Sequence, residues 1–332
     1  MATPPRLAAL RRFVPPPLTR LGAALHEGGF LVKQRRRLVR IAAYHRPADD
    51  VVALLAAVQR KTLVFTITAG RTGTVYLQQL LALFPDTTSL HEPEPAYVSV
   101  LRSVQHHPDL ARRFLLEWKL PFIAAAGTAR YVETSHLFCK GFLEAALGLG
   151  LRPRFVILRR SPRRIAASYL SRNAVPGRTK TGLKYLVHPG DPGVLPLPRW
   201  TRRSAYQLCF WYALEMERRQ EVYAAELARR SLPAVDITAE ELHDPARFLQ
   251  AAATLGLVDG RTDLPAIRHG HAELSARIHN ANRVAAGEGL DLDREEDAVW
   301  NALGDAAPAL RERIAARYAA APPRRAQGGS ST

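Results

Sequence analysis

The stretch from Leu63 to Tyr76, which reads LVFTITAGRTGTVY, constrains the fold of this chain most strongly. Its apolar first half, with threonines between the larger side chains, predicts a buried strand. Gly70 and Gly73 predict a tight turn, and the apolar-periodic run that ends at Phe84 predicts a helix. A glycine-containing loop that enters a helix directs free backbone N–H groups, and the positive end of the helix dipole, at one point. We therefore expect an oxyanion to bind where the strand ends.

The loop differs from the nucleotide-triphosphate pattern G-x-x-x-x-G-K-[ST], because no lysine follows Gly73. Its cation is Arg71, two residues earlier. The hydroxyl of Thr74 stands where it could cap the helix or donate to a phosphate. The candidate anion-binding residues of this loop are Arg71, Thr72, Gly73, Thr74 and Val75.

Composition limits the classes of partner and fold. A chain of 332 residues with 47% hydrophobic content can bury a large core in one domain. A net charge of +17 predicts anionic partners, which fits polyphosphorylated nucleotides, nucleic acid, and acidic glycans or lipids equally well. Two cysteines, Cys139 and Cys209, provide neither a disulfide framework nor a metal-ligand cluster, so we expect no metal site.

The ends of the chain differ in composition from its middle. Residues 1–60 form an arginine- and proline-rich arm with helices, in which Asp49 and Asp50 are predicted to cap a helix from Val51 to Arg60. Its apolar stretches are too short for a secretory signal or a membrane anchor, so we expect a soluble, cytoplasmic protein; a transit peptide or a basic arm that touches a membrane surface stays open. Residues 61–321 form the main domain, and residues 322–332 are predicted to be disordered.

A second cationic motif follows the apolar strand predicted from Arg154 to Arg160. Ser161 and Pro162 begin a helix that carries Ser168 and Arg172. These two residues are four apart and therefore share one face of the helix, and Arg160 lies near its start. Arginine forks and a serine hydroxyl suit phosphate binding. Arg163 and Arg164 are predicted to form a solvated basic face of the same helix.

These motifs resemble those of the sulfotransferases that use 3′-phosphoadenosine 5′-phosphosulfate (PAPS). The unit R-T-G-T at Arg71 resembles their 5′-phosphosulfate loop, and R-x-P-x-x-x-x-x-S with a further arginine resembles their 3′-phosphate motif at Arg160, Ser168 and Arg172. The resemblance extends from Lys61 to Leu257 and includes tyrosylprotein, glycan and bacterial members. It implies PAPS as co-substrate, and a P-loop-like three-layer αβα fold with a mainly parallel sheet.

The resemblance also implies a general base. Glu92 lies 21 residues after Arg71, on a segment with two prolines that is predicted to be irregular from Ser89 to Pro95. It matches the base of tyrosylprotein and glycan sulfotransferases. The T-S-H-L segment after the strand predicted from Arg130 resembles the one that carries the base in cytosolic sulfotransferases, which makes His136 the rival candidate.

Some family features are missing or uncertain. Ala239 stands where many members have a tyrosine in a Y-E-x-L unit, which leaves the adenine contacts open. The late loop that closes over the nucleotide is not recognisable, although a basic stretch could serve, with Arg277, His279, Asn280 and Arg283. Residues 175–200 are predicted to form an irregular lid on the substrate side. The helix predicted from Ser204 to Arg229 carries an aromatic stripe expected to lie in the core.

Three functions are therefore compared. The first is a sulfotransferase that acts on a hydroxyl of a glycan, lipid or small molecule, with an acceptor that could be acidic. The second is a P-loop-type nucleotide kinase, which would need a loop lysine and acidic Mg²⁺ ligands. The third is a basic nucleic-acid-binding protein, which would interleave aromatic and basic residues on one surface. The clustering of arginines at two strand ends favours the first, with no nucleic acid as partner, and oligomeric state stays open.

Overall fold

A computed structural model describes residues 47–277 and 289–319 of the chain. It contains a five-stranded sheet in the order β2-β3-β1-β4-β5, in which every neighbouring pair is parallel. The strands are β1 (Thr62–Thr68), β2 (Thr87–Leu90), β3 (Arg130–Glu133), β4 (Arg154–Arg159) and β5 (Ala234–Thr238). The predicted α/β class is confirmed, with a sheet that is parallel throughout.

Helices connect the strands and complete the described part of the chain. Those before β3 are α1 (Ala48–Gln59), α2 (Thr74–Leu81), α3 (Leu101–Val104), α4 (Asp109–Phe114) and α5 (Leu120–Ala125), with a π-helical segment at Leu115–Lys119 between α4 and α5. Those after β3 are α6 (Leu143–Gly148), α7 (Pro162–Ser171), α8 (Lys180–Tyr185), α9 (Ala205–Arg229), α10 (Pro245–Thr254), α11 (Leu264–Ala276), α12 (Leu292–Leu303) and α13 (Ala307–Ala319). Single 3₁₀ turns lie at Tyr97–Ser99, Trp200–Arg202, Glu241–His243 and Gly304–Ala306.

Helices pack on both faces of the sheet because its strands are apolar on both sides. In β1, Phe65 and Ile67 belong to one hydrophobic cluster and Val64 to another, as the period-two alternation of a strand requires. The first cluster includes α1, α6, α7 and α9, and the second includes α2, α10 and α11. The sheet is thus the middle one of three layers.

The chain leaves β1 and β4 toward opposite faces of the sheet. After β1 it enters α2 in the second cluster, whereas after the adjacent β4 it enters α7 in the first cluster. A crevice therefore opens between the carboxyl ends of these two strands. Such switch points are where open parallel sheets bind ligands.

Several local predictions were wrong. Asp49 and Asp50 lie inside the first turn of α1, after Pro47 at its N-cap, and no side chain caps that turn. They favour the helix through its dipole instead. Ser89 is not irregular but belongs to β2, an edge strand that pairs only along β3 among the described strands. The helix predicted to reach Phe84 ends at Leu81.

Residues 175–200 are not irregular throughout, because they contain α8 and contribute to the core. Leu186, Val187 and Leu195 are buried. Arg102 forms a buried ion pair with Asp191, which anchors the segment to α3. The helix predicted after it is confirmed as α9, whose N-terminus has a capping box at Ser204. Its aromatic stripe is buried, as predicted, at Tyr206, Phe210 and Trp211.

The predicted basic arm up to residue 46, the nucleotide-closing residues His279, Asn280 and Arg283, and the tail from residue 322 lie outside the described residues. Within the described ranges, every helix is too short or too polar to cross a lipid bilayer.

Candidate active site

The loop between β1 and α2 has an unusual backbone. Gly70, Arg71 and Gly73 have φ angles of 80°, 60° and 90°. Gly70 is required here, because a Cβ atom would lie 2.5 Å from the hydroxyl of Tyr169 and 2.8 Å from the ring of His136. Arg71 has no such freedom and carries backbone strain, which functional loops often store.

The N-terminus of α2 opens onto this loop. Gly73 is its N-cap residue, and no side chain caps the first turn. Thr74 is the first residue of the helix, so its hydroxyl does not cap it. Val75 exposes 49% of its surface, so its predicted contribution rests on its backbone. The N–H groups and the helix dipole together make this end of α2 suited to an anion.

The two predicted phosphate motifs contact each other. Arg71 donates from Nε to Oγ of Ser168, at 3.0 Å. Arg160 donates from Nη1 to the carbonyl oxygen of Arg71, at 2.6 Å. Burial lowers the pKa of Arg71, and the charge of nearby Arg172 lowers it further. These hydrogen bonds join Arg71, Arg160 and Ser168, from two distant segments, at the switch point, and Arg172 is near enough for its charge to act on Arg71.

Arg172 was predicted to share one face of a helix with Ser168. It is the C-cap residue of α7 and is exposed, and Ser168 bonds to Arg71. Arg163 and Arg164 are exposed on α7, as predicted for a solvated basic face, and both also have carboxylate partners. Arg163 forms ion pairs with Asp293 and Glu296 of α12, and the pairs raise its pKa. Arg164 pairs with Glu240, at 2.7 Å. These carboxylates neutralise the outer arginines of α7.

Buried side chains hold the end of β1 in place. The hydroxyls of Tyr169 and Tyr212 each donate to the carbonyl oxygen of Ala69, at 2.7 Å. Burial raises the pKa of both tyrosines, so they stay protonated and remain donors. Gln220 donates to the carbonyl oxygens of Ile67 and Leu158, both at 3.0 Å, and so ties β1 to β4.

The two rival bases hydrogen-bond to each other. Nδ1 of His136 lies 3.2 Å from Oε1 of Glu92. Burial lowers the pKa of His136 well below its usual value, and the charges of Lys140, His91 and Arg71 lower it further. The imidazole is therefore neutral, and the contact is a hydrogen bond. With its Nδ1 proton assigned toward Glu92, the lone pair of Nε2 can accept a proton.

Lys140 lies in the interior beside this pair. It is fully buried, donates to the carbonyl oxygen of Tyr185 at 2.9 Å, and lies 5.2 Å from the centre of the Tyr212 ring. Burial lowers its pKa to about 7, against the opposing effects of Cys139 and Glu92. No sequence motif includes Lys140, so the sequence did not indicate a role for it. Its position four residues after His136 was the available signal.

Other predicted features lie apart from this centre. Two glutamates follow Ala239. Glu240 accepts a hydrogen bond from Arg164, and Glu241 accepts one from the backbone N–H of Thr238. The ring of Tyr76 stacks on that of His243, at 4.8 Å between centres. No set of three or more His, Cys, Asp or Glu side chains suited to a metal occurs in the described ranges.

A groove of about 570 Å³ lies between α6 and α9, where Leu147, Val222 and Arg229 contribute to its walls. The groove lies near the C-terminal ends of both helices. Because α6 precedes β4 and α9 precedes β5, these helix ends lead to the amino ends of those strands. It is therefore separate from the crevice at the carboxyl ends.

A scan against protein-family models found no match, and neither did a search of curated proteins.

Proposed function

We propose that this protein is a PAPS-dependent sulfotransferase that transfers a sulfuryl group to a hydroxyl of its acceptor. The observation that carries the proposal is the contact between the two anion motifs, in which Arg71 bonds to Ser168 and Arg160 bonds to the backbone of Arg71. PAPS carries phosphate groups on both the 5′ and the 3′ positions of its ribose. A site with two neighbouring cationic motifs suits such a ligand better than it suits a nucleotide with one phosphate group.

The chain offers donors for each end of the nucleotide. Arg71 and the N–H groups of Thr72, Gly73, Thr74 and Val75 would bind the 5′-phosphosulfate. Arg160, Ser168 and Arg172 would bind the 3′-phosphate. The uncapped first turn of α2 supports the first assignment, because its N–H groups need acceptors.

In the proposed reaction, the acceptor oxygen forms a bond to sulfur while the bond from sulfur to the phosphate oxygen breaks. The electron pair of the broken bond stays on that oxygen, so the nucleotide leaves as 3′-phosphoadenosine 5′-phosphate. Arg71 would stabilise this developing charge. The acceptor proton would pass to Nε2 of His136, and Glu92 would orient the imidazole and stabilise its charged form. The protein thus supplies positioning, charge and one base.

A nucleotide kinase is less well supported. The loop lacks the lysine of a P-loop, and Glu92, the carboxylate beside the loop, is hydrogen-bonded to His136. A nucleic-acid-binding role is also less well supported, because the outer arginines of α7 are paired with carboxylates. One binding experiment separates the sulfotransferase from the kinase.

The experiment measures the affinity of 3′-phosphoadenosine 5′-phosphate, AMP and ATP with Mg²⁺ by titration calorimetry. We expect the first to bind about 100-fold more tightly than AMP, since charge-assisted hydrogen bonds to the 3′-phosphate distinguish the two. Arg160→Ala should reduce this preference to a few-fold. Arg164→Ala, in the helix that begins just after Arg160 but at an arginine paired with Glu240, is the matched control and should keep it.

Equal affinity for the two adenosine nucleotides would contradict the proposal, and preference for ATP with Mg²⁺ would favour the kinase. Once binding is established, mass spectrometry of a panel of hydroxyl acceptors incubated with PAPS would detect a product that has gained one sulfuryl group.

A further inference from the structure

Helix α8, which ends near the candidate base, carries two lysines. Lys180 and Lys184 are four residues apart, so they lie on the same side of the helix. Lys180 is exposed and Lys184 is half-buried. The opposite side is fixed to the protein, because Leu183 is buried and Gly182 packs against the backbone of Val175.

The helix ends next to His136. The ring of Tyr185 lies 6.3 Å from that of His136, between centres, and it is half-buried. Nζ of Lys184 lies 4.9 Å from the centre of the Tyr185 ring. Lys140 holds the carbonyl oxygen of Tyr185, which fixes the end of α8 to the interior. An aromatic ring and an ammonium group therefore border the place where an acceptor hydroxyl would approach the base.

Neither lysine of α8 forms an ion pair within the described part of the chain. No carboxylate of the described ranges lies within ion-pair distance of Lys180 or Lys184. Like charges four residues apart destabilise a helix. By contrast, Arg163 and Arg164 of α7 have carboxylate partners. A positive face whose lysines have no ion-pair partner among the described residues, near a reactive group, suits an anionic ligand.

We propose that α8 is the acceptor-binding wall and that the acceptor is an anionic saccharide, with a carboxylate or sulfate on the sugar that bears the reacting hydroxyl or on its neighbour. Tyr185 would contact the face of the sugar ring, and Lys184 would pair with the anionic group, with Lys180 next to it. This inference rests on the proposed function for the identity of the reaction, but the anion selectivity of α8 can be measured without turnover.

The test uses two probes that differ in one group. 4-Nitrophenyl β-D-glucuronide has a carboxylate where 4-nitrophenyl β-D-glucoside has a hydroxymethyl group. Their affinities for the full-length protein, saturated with 3′-phosphoadenosine 5′-phosphate, are measured by ligand-observed NMR. We expect the glucuronide to bind about tenfold more tightly, since a half-buried ammonium supplies a charge-assisted hydrogen bond.

Three variants show which residues cause the preference for the glucuronide. Lys184→Gln should remove most of the preference by weakening the glucuronide alone. Tyr185→Ala should weaken both probes to the same degree. Arg152→Gln, at an exposed arginine just before β4 and thus at the opposite end of the sheet, removes the same charge and should keep the preference.

Equal affinity for the two probes in the unmodified protein would overturn the inference. So would a preference that survives both Lys184→Gln and the double variant Lys180→Gln/Lys184→Gln. If the nucleotide itself does not bind, the proposed function fails, and the same probes are measured without nucleotide. Selectivity lost in Lys184→Gln would then still support an anionic-saccharide site on α8, whereas its absence would overturn that site too.

Discussion

The ammonium group of Lys140 is the residue-scale feature with the clearest consequence for stability. Burial lowers its pKa to about 7 from the ordinary 10.5, so the folded protein binds this proton more weakly than the unfolded chain does. The resulting cost is fully present below about pH 7 and fades as the pH rises toward 10.5. Titratable groups that influence the pKa of Lys140 include Cys139, Glu92, Arg219 and Arg102.

We therefore predict that Lys140→Met raises the melting temperature relative to the unmodified protein more at about pH 6 than at about pH 9.5. Methionine fills a similar volume without a charge, so it relieves the cost where that cost is largest. Differential scanning calorimetry across this range measures the difference. Lys61→Met, at a half-exposed lysine that also donates to backbone carbonyls, controls for the lost hydrogen bonds. A gain in melting temperature that is larger at pH 9.5 than at pH 6 would contradict the view that burial of the charged ammonium destabilises the fold.

The Glu92–His136 pair gives a second residue-scale prediction, which concerns pH and rate. Because the pKa of His136 is well below its usual value, the imidazole stays neutral in mildly acidic solution. Under the proposed function, kcat/KM should stay level from about pH 8 to about pH 6, where an ordinary histidine would become charged. His136→Asn should lower kcat by about 100-fold or more.

Two controls keep this prediction specific. His136→Asn should bind 3′-phosphoadenosine 5′-phosphate as tightly as the unmodified protein does, since the histidine would act on the acceptor. Glu92→Gln should lower kcat less than His136→Asn, because it removes the orienting group and leaves the base. A larger loss in Glu92→Gln would instead make the carboxylate the base.

The sequence predicted the polar residues of the site better than their contacts. Arg71, Arg160 and Ser168 each belong to a short motif with a clear chemistry, and they meet at one point. Tyr212 and Gln220 also hold the end of β1, but they come from the middle of a helix and resemble ordinary core residues. Their role depends on long-range packing, which no local pattern records.

At the scale of elements, the short ones were missed for physical reasons. β2 has four half-buried residues with no clean alternation, so its strand character comes from pairing with β3. Helix α8 contains a glycine and lies among prolines, which oppose a helix locally. It forms because Leu183 and Leu186 are buried and because the side chain of Thr179 caps its first turn.

The close packing of α8 gives an element-scale prediction. A Cβ atom on Gly182 would lie 1.9 Å from the carbonyl oxygen of Val175, and backbone cannot move aside as a side chain can. Gly182→Ala should therefore lower the free energy of unfolding by about 1–3 kcal/mol, as overpacking does. It should also weaken acceptor binding if α8 forms the acceptor wall.

Gly148→Ala is the matched control for this substitution. Gly148 ends α6, and nothing lies within 4 Å of its added Cβ atom. Alanine should therefore be neutral or mildly stabilising there. Urea unfolding of both variants gives the comparison, and an unchanged midpoint for Gly182→Ala would show that α8 is not held against Val175.

At the scale of the whole molecule, the sequence predicted a three-layer α/β architecture but not the order of its strands. The order depends on which strands pair with one another, and the paired strands are far apart in the chain. It places β1 and β4 side by side and sends the connections after them to opposite faces. That arrangement brings two motifs almost 90 residues apart in the chain, those of Arg71 and Arg160, into contact.

This arrangement also couples the proposed ligand to global stability. A ligand at 100 times its dissociation constant stabilises the folded state by about 2.7 kcal/mol. For a domain of this size, such a gain raises the melting temperature by several degrees. We expect 3′-phosphoadenosine 5′-phosphate to produce this shift, and variants of Arg71 can separate ligand binding from backbone strain.

Arg71 has a φ angle of 60°, which glycine adopts without strain and alanine does not. Without ligand, Arg71→Gly should therefore melt at a higher temperature than Arg71→Ala, by an amount that corresponds to about 1 kcal/mol. Both variants lose the guanidinium group, so both should lose most of the nucleotide-dependent shift. A full shift in either would show that Arg71 does not hold the 5′ end of the nucleotide. Equal melting temperatures of the two variants without ligand would show that the strained backbone relaxes when the arginine is removed. The contact of the Arg71 side chain with Ser168 would then be what maintains the strain.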